Sequence, residues 1–219
     1  MAQVFWFRRD LRLEDNIALN SAVSAAIQDG SKLLALTYIV DLDQFYSLSP
    51  VRQHSLVASL DSLGSSLSRK LTIRHSRGLQ SMAAELIEVA KAAGSQIVHA
   101  TRAFDPSGIQ EQNTIGLALK AAGIFLSLSD SYYAVAPGSV IKPDGSAYKV
   151  YTPFYKNWLA LGWSPPQKLI ELGADWFEPI ECHGRPVPSA PAPFRIRAGE
   201  GFARRTFDRF KNRALKSYD

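Results

Sequence analysis

The residues best suited to chemistry stand at the ends of apolar runs. "VFWFRRDLRLEDNIAL" (4–19) opens as a strand-like stretch and passes directly into Arg8, Arg9, Asp10 and Arg12. A second run, "LLALTYIVD" (33–41), ends at Asp41, and a later one, "SQIVHA" (95–100), is followed by Thr101, Arg102 and Asp105. In an open parallel α/β sheet, ligands lie beyond the carboxyl ends of the strands, so these groups are expected to converge on one rim. Arginine suits such a rim, because its planar fork meets a carboxylate or a phosphate at two points. Two readings of the charged knot stay open. In one, Arg9 faces a ligand while Asp10 and Arg12 pair locally. In the other, the cluster only pins the first strand–helix turn, with Asp15 as N-cap of the following helix. No phosphate-cradling glycine loop of the GxGxxG or GxxxxGK[ST] type and no GxSxG elbow is present. Asp41 and Asp43 read as a solvated pair, and "DPSG" (105–108) as a turn able to open a helix.

The elements that position these groups follow from two alternating patterns. Segments 3–8, 33–41, 71–76, 95–100 and 124–130 are short, apolar and rich in branched or aromatic residues, which predicts strands, several buried on both faces. Segments 16–29, 52–69, 80–93 and 110–122 carry apolar residues at three-to-four spacing, as in Met82, Leu86, Val89 and Ala93 or Leu56, Leu60, Leu63 and Leu67. Gly30, Gly94 and Gly123 mark helix ends. The rhythm predicts an α/β, Rossmann-like open parallel five-stranded sheet with helices on both faces. Beyond residue 130 it stops. Turn signals in 137–150 suggest a small hairpin or loop, and "YTPFYKNWLALGW" restarts a helix with Thr152 as N-cap and Pro153 at its first position. Seven prolines in 164–193 indicate a linker wrapped over a surface, and 199–217 reads as a terminal helix with Ala203, Phe207, Phe210 and Ala214 on one stripe. A helix with such a stripe should be packed on something. The domains expected are 1–162, a linker 163–198 and a further helix 199–219.

Composition narrows the class of protein. Hydrophobic residues make up 46% and charged residues 21% of 219, as in an ordinary globular chain. The net charge of +5 resides entirely in 195–219, which hold eight basic and three acidic residues, so the first 194 residues are neutral. The main domain is therefore not a general nucleic-acid binder, and only weak, nonspecific DNA binding is expected of the tail. No run of about 18 apolar residues calls for a membrane. A single cysteine, Cys182, and the lack of a leader pattern point to a cytoplasmic chain. His54, His75, His99 and His183 show no metal-ligand spacing with it, and no metal site is expected.

Two of these segments carry a family resemblance. "FWFRRDLRLEDNIAL" (5–19) and "YKVYTPFYKNW" (148–158), in this order with the α/β rhythm between them, strongly resemble the N-terminal domain of the DNA photolyase/cryptochrome family. The resemblance extends to "FRIRAGEGFARRTFDRFKNRALKSYD" (194–219), which looks like the first helix of that family's all-helical domain. It implies a division of labour. The α/β domain holds an auxiliary light-harvesting pigment, a folate, a deazaflavin or a flavin. The helical domain binds FAD and damaged DNA and splits pyrimidine dimers by electron transfer. The flavin motif and electron-relay tryptophans of that second domain are absent from these 219 residues. The resemblance thus implies the antenna half of a photolyase, a monomer inactive alone and meeting damaged DNA through the helical domain. The same domain of a cryptochrome light sensor is the alternative, and a stand-alone nucleotide-binding domain that takes ATP or AMP at the rim is a third.

The pigment residues carry over position by position. Arg9, Asp41 and Arg52 match positions that contact a deazaflavin-type pigment in some members, Tyr38 matches an aromatic position there, and Asp105 is kept nearby. Ala103 replaces an acidic residue of deazaflavin-binding members, Ser107-Gly108 replaces the Asn-Glu of folate-binding ones, and Glu111-Gln112 stands where many members show Arg-Asp. Phe154, Tyr155 and Trp158 are expected to pack against the sheet or against the further domain.

Overall fold

The five apolar runs form one sheet because each must bury at least one face. In the computed structural model, which describes residues 2–68, 70–129, 133–170, 176, 184–190 and 197–217, the strands are β1 (Gln3–Phe7), β2 (Leu34–Asp41), β3 (Leu71–Ser76), β4 (Ile97–Thr101) and β5 (Phe125–Ser129). All pair in parallel, in the order β3-β2-β1-β4-β5. β1 is therefore central, and all five of its residues are buried. Its register sets Trp6 opposite Thr37 and Phe7 opposite Tyr38. The chain order reverses at β1 between β2 and β4, the topological switch point of a doubly wound sheet.

Helices cover both faces. On one, α1 (Ile17–Gln28) and the end of α3 (Pro50–Ser66) bring Leu19, Val23 and Leu63 onto Phe5, Phe7, Leu34 and Leu36. On the other, α4 (Gly78–Ala92) and α5 (Pro106–Ala121) bring Met82, Leu86, Val89, Ile115 and Leu119 onto Val4, Trp6, Ile39 and Val98. Burying each large side chain of this kind contributes roughly 1.5–3 kcal/mol. Gly30, Gly94 and Gly123 follow helix ends with φ of +72°, +62° and +77°, a conformation costly for any residue with a Cβ.

Several local expectations are corrected. The N-cap of α1 is Asn16, whose Oδ1 accepts the Leu19 N–H at 3.0 Å. Asp15 instead adopts φ +51°, and its backbone N–H and carboxylate bind the backbone of Gln167. A short helix absent from the sequence reading, α2 (Leu42–Ser47), follows β2 directly. α6 (Tyr151–Leu161) starts before Thr152, with Val150 at the cap. Pro153 is then third in the helix, still within the first turn, where N–H groups have no intrahelical acceptor. Phe154, Tyr155 and Trp158 do not pack on the sheet: no residue of α6 is buried. Tyr151, Tyr155, Trp158 and Trp163 instead form a ladder with successive ring centroids 5.6, 6.3 and 5.0 Å apart.

The described residues of 164–193 make contacts with the α/β domain. Gln167, Lys168 and Ile170 bond to Asp15 and Asn20, and the Arg185 N–H donates to Ile73 O on edge strand β3 at 2.7 Å. α7 (Glu200–Asn212) ends earlier than the sequence suggests, and a 3-10 turn (Ala214–Ser217) follows. Its first turn is tied down: the Leu13 and Glu14 N–H groups donate to Glu200 at 2.9 and 3.1 Å, and Arg204 pairs with Glu14. Phe207 and Phe210 remain exposed, so the expected packing of the stripe is not found within the described residues. Cys182 and His183 lie outside them.

Candidate functional site

The site begins with Arg8, the first residue past β1. Two positions beyond Trp6, it points to the same side of the sheet, and its guanidinium lies 5.0 Å from the Trp6 ring centroid. There it meets the start of α5. Arg8 Nε and Nη2 donate to Glu111 Oε1 at 2.8 and 2.5 Å. Nη1 donates to Thr101 O at 2.9 Å and Nη2 to Gly108 O at 3.1 Å. One side chain thus joins the ends of β1 and β4 and the first turns of α5, filling the crevice at the switch point.

The rest of the knot divides its tasks. Asp10, buried, accepts from Thr101 Oγ1 at 2.5 Å, Asn16 Nδ2 at 3.2 Å and the Arg8 N–H at 3.1 Å. Arg12 reaches Asp15, donating to its carbonyl at 2.7 Å. Asp10 and Arg12 therefore do not pair through their side chains. Arg9 projects to the exposed rim and makes a two-point bond with Asp105, at 2.6 and 3.0 Å. Asp105 caps α5 through the Gly108 N–H. The Ser107 hydroxyl, the Gly108 N–H and the Arg9 guanidinium hold its carboxyl far below the usual range.

With the switch-point crevice closed, open volume lies beside it, over the ends of β1 and β2. A cavity of about 390 Å³ is lined by Trp6, Arg8, Arg9, Tyr38, Asp41 and Glu111 at its polar margin, with Ile39, Phe45, Leu48 and Met82 among its apolar walls. Its size lies within the usual range for small-molecule pockets. Asp41 belongs to its wall while capping α2, accepting from the Asp43 and Gln44 N–H groups at 3.0 and 3.2 Å. Burial and the nearby Glu111 carboxylate push the Tyr38 phenol up to about 12. Further out, Arg77 pairs with Asp43.

Of the residues singled out in the sequence, Arg9, Tyr38 and Asp41 share this cavity. Asp105 stands behind it, holding Arg9. Arg52 is exposed in the first turn of α3 and is not part of the lining. Sequence reasoning passed over Arg8 and Glu111 as a pair. The one available signal was parity: Arg8 follows Trp6 by two and must face the same helix layer. Among the described residues no cluster of three metal-ligating side chains occurs, and no helix is long and apolar enough to cross a membrane.

The chain is a doubly wound α/β domain with Arg8 tied across the switch point and a cavity of mixed polar and apolar lining beside it. A sequence model of the DNA photolyase family matches residues 3–171, and the chain belongs to that family. It is 31% identical over 169 residues to a deoxyribodipyrimidine photo-lyase of Vibrio cholerae, over 75% of this chain and 35% of that one. In structure it resembles a cryptochrome of Synechocystis, with TM-score 0.75 at 19% identity over 95% of this chain and 46% of that one. It also resembles an archaeal photolyase of Sulfolobus tokodaii containing two FAD molecules, with TM-score 0.65 at 22% identity over 81% of this chain and 38% of that one. The chain spans less than half the length of these relatives.

Proposed function

We propose that this chain is the light-harvesting half of a photolyase-type protein. A planar pigment of flavin, deazaflavin or folate class sits in the cavity at the ends of β1 and β2. The observation that carries this is the cavity itself: about 390 Å³, walled by Trp6, Phe45 and Met82 and edged by Arg9, Tyr38 and Asp41. Aromatic and aliphatic walls with a few convergent polar groups suit a flat heteroaromatic ring. The Sulfolobus tokodaii photolyase, with its two FAD molecules and the novel light-harvesting cofactor they imply, adds support because this chain belongs to the photolyase family. When bound, the pigment supplies absorption of light. The chain's own residues hold the ring, keep water from it and orient it; Asp105 fixes Arg9 at the rim, and Arg8 with Glu111 fixes the floor.

Pyrimidine-dimer repair is assigned to a helical, FAD-binding domain, with 1–162 as the pigment domain, 163–198 as connection and 199–219 as the approach to that second domain. Damaged DNA is engaged there, and the present chain acts as a cytoplasmic monomer with weak DNA affinity. The closed switch point and the missing glycine loop weigh against AMP or ATP binding at the rim. The test is absorption and fluorescence titration of the chain with FMN, a deazaflavin, a methenyl-folate and AMP, together with illumination of the chain with dimer-containing DNA. Binding of a pigment without repair is expected. Preferential binding of AMP, or light-driven repair by these 219 residues alone, would contradict the proposal.

A further inference from the structure

The two edges of the sheet differ. At edge strand β3 the chain supplies a partner: the Arg185 N–H donates to Ile73 O at 2.7 Å, and the Pro186 carbonyl lies 3.0 Å from His75 Nε2. At edge strand β5 no described residue takes that place. The Phe125 N–H donates to Gln96 O, and Ser129 O accepts from the Arg102 N–H, so Phe125, Ser127 and Ser129 turn their backbone groups inward to β4. The N–H and C=O groups of Leu126 and Leu128 therefore point outward. Among the described residues their only partner is Arg102 Nη2, 3.4 Å from Leu128 O, and a carbonyl oxygen keeps a second lone pair. Beside this edge lies a groove of about 740 Å³, with Leu117, Phe125, Leu126 and Leu128 in its lining. Leu117 and Phe125 are 71% and 66% exposed. Such an edge is a template for strand pairing unless charge or a cover blocks it. No charged residue occurs in 121–129, and Lys120 is the only one among the described residues of the lining.

We propose that β5 is a self-pairing edge and that its occupant is a second copy of this chain. An antiparallel pair with its two-fold axis at Ser127 sets Leu126 opposite Leu128 of the partner subunit, and Leu128 opposite Leu126 of the partner subunit. Both are hydrogen-bonded pairs, so every outward N–H and C=O of these leucines finds a partner. The charge pattern selects a second copy. A strand bearing acidic or basic residues meets no counter-charge along 121–129, whereas a neutral strand meets its like. Lys120 precedes β5, so the antiparallel arrangement carries the two Lys120 side chains to opposite ends of the interface, where they do not repel. The axis stands perpendicular to the sheet, so both α5 helices lie on one face and the two apolar grooves adjoin across it. A contact of one short strand and one groove belongs to the weak, transient class, so the dilute chain remains the monomer assigned above. The pairing leaves the cavity over β1 and β2 open, and it stands whether or not that cavity holds a pigment.

Sedimentation equilibrium of the full chain tests this, between roughly 5 and 500 µM, a span suited to a weak interface. The weight-average mass is expected to rise from that of the monomer toward twice that value. Phe125→Lys, at an exposed position, should leave the thermal melt unchanged and weaken association at least about tenfold by placing charge on the edge. Oxidative cross-linking in a Cys182→Ser background reads the register. Ser127→Cys brings two thiols together at the axis, in a non-hydrogen-bonded pair with Cα atoms about 4.5 Å apart, within disulfide range. Ser129→Cys sets them roughly 13 Å apart along the strands, beyond that range. A covalent dimer from Ser127→Cys and none from Ser129→Cys is expected. A constant monomer mass across the whole span, association unchanged in Phe125→Lys, or equal cross-linking of the two cysteine variants overturns the pairing.

Discussion

Glu111→Ala is the sharpest perturbation of the rim. Arg8 and Glu111 have side-chain exposures of 7% and 21%, so the pair is largely removed from water. The truncation deletes the anion but leaves the guanidinium among Thr101 O and Gly108 O, two neutral acceptors that do not balance its charge. Removing one partner of a buried pair costs roughly 3–5 kcal/mol. Partial exposure of Glu111 lets water reach the vacated space, which places the expectation near the lower end, about 3 kcal/mol. Glu111→Gln keeps one acceptor and should cost about 1 kcal/mol. Urea unfolding followed by tryptophan fluorescence reads both, provided the slope with denaturant is unchanged. A loss below about 0.5 kcal/mol for Glu111→Ala would show that the pair is effectively solvated, and the account of Arg8 as the tie between β1, β4 and α5 would fail.

Other expectations are simpler to check. Burial holds the His99 imidazole down to about 4, so its neutral form is favoured by folding. Its stabilising contribution is complete above the unfolded value of about 6.5 and is lost as pH falls from there toward 4; melts of His99→Gln should lack this slope, and an identical slope would refute the assignment. The depressed carboxyl of Asp105 contributes stability above about pH 4 that is lost on further acidification. Asp105→Asn should flatten the acid limb of a stability–pH curve, and an unaltered limb would contradict the Arg9–Asp105 tie. Glu200→Ala removes the acceptor for the Leu13 and Glu14 N–H groups; hydrogen exchange in α7 should accelerate while β1 stays protected, and unchanged exchange in α7 would show the contact is incidental. Duplex DNA should bind weakly and release steeply on adding salt, whereas tight, salt-insensitive binding would relocate the nucleic-acid surface to this chain.

What the sequence discloses here depends on how local the cause is. The strands were legible because β1 and β2 are buried along nearly their whole length, which leaves continuous apolar runs. The α4 stripe of Met82, Leu86 and Val89 was legible for the same reason at helical spacing. α2 was not, since six residues after Asp41 are too few to show a period. Asn16 rather than Asp15 caps α1 because Asp15 is drawn to the backbone of Gln167, a contact 152 residues away that no local pattern announces. At the site, the shared rim of Arg9, Tyr38 and Asp41 follows from where strands end. The Arg8–Glu111 tie depends on α5 meeting the end of β1, and Arg52 lies outside the lining although Leu56, one turn further along α3, belongs to it. The aromatic ladder of α6 has no buried member, so of the two expected partners, the sheet and the further domain, the sheet is not the one; aromatic spacing shows which rings share a helix face but not what covers that face.

The central claim is that this family member carries its pigment over the ends of β1 and β2. Nuclear magnetic resonance of the isotope-labelled chain, titrated in parallel with FMN, a deazaflavin and a folate, tests it most directly. A pigment that binds should shift the backbone amides of Arg9, Tyr38, Asp41 and Gln44 together, with those of Leu117 and Phe125 on the far edge of the sheet unmoved. Shifts confined to that far edge, or none with any of the three pigments, would contradict the claim.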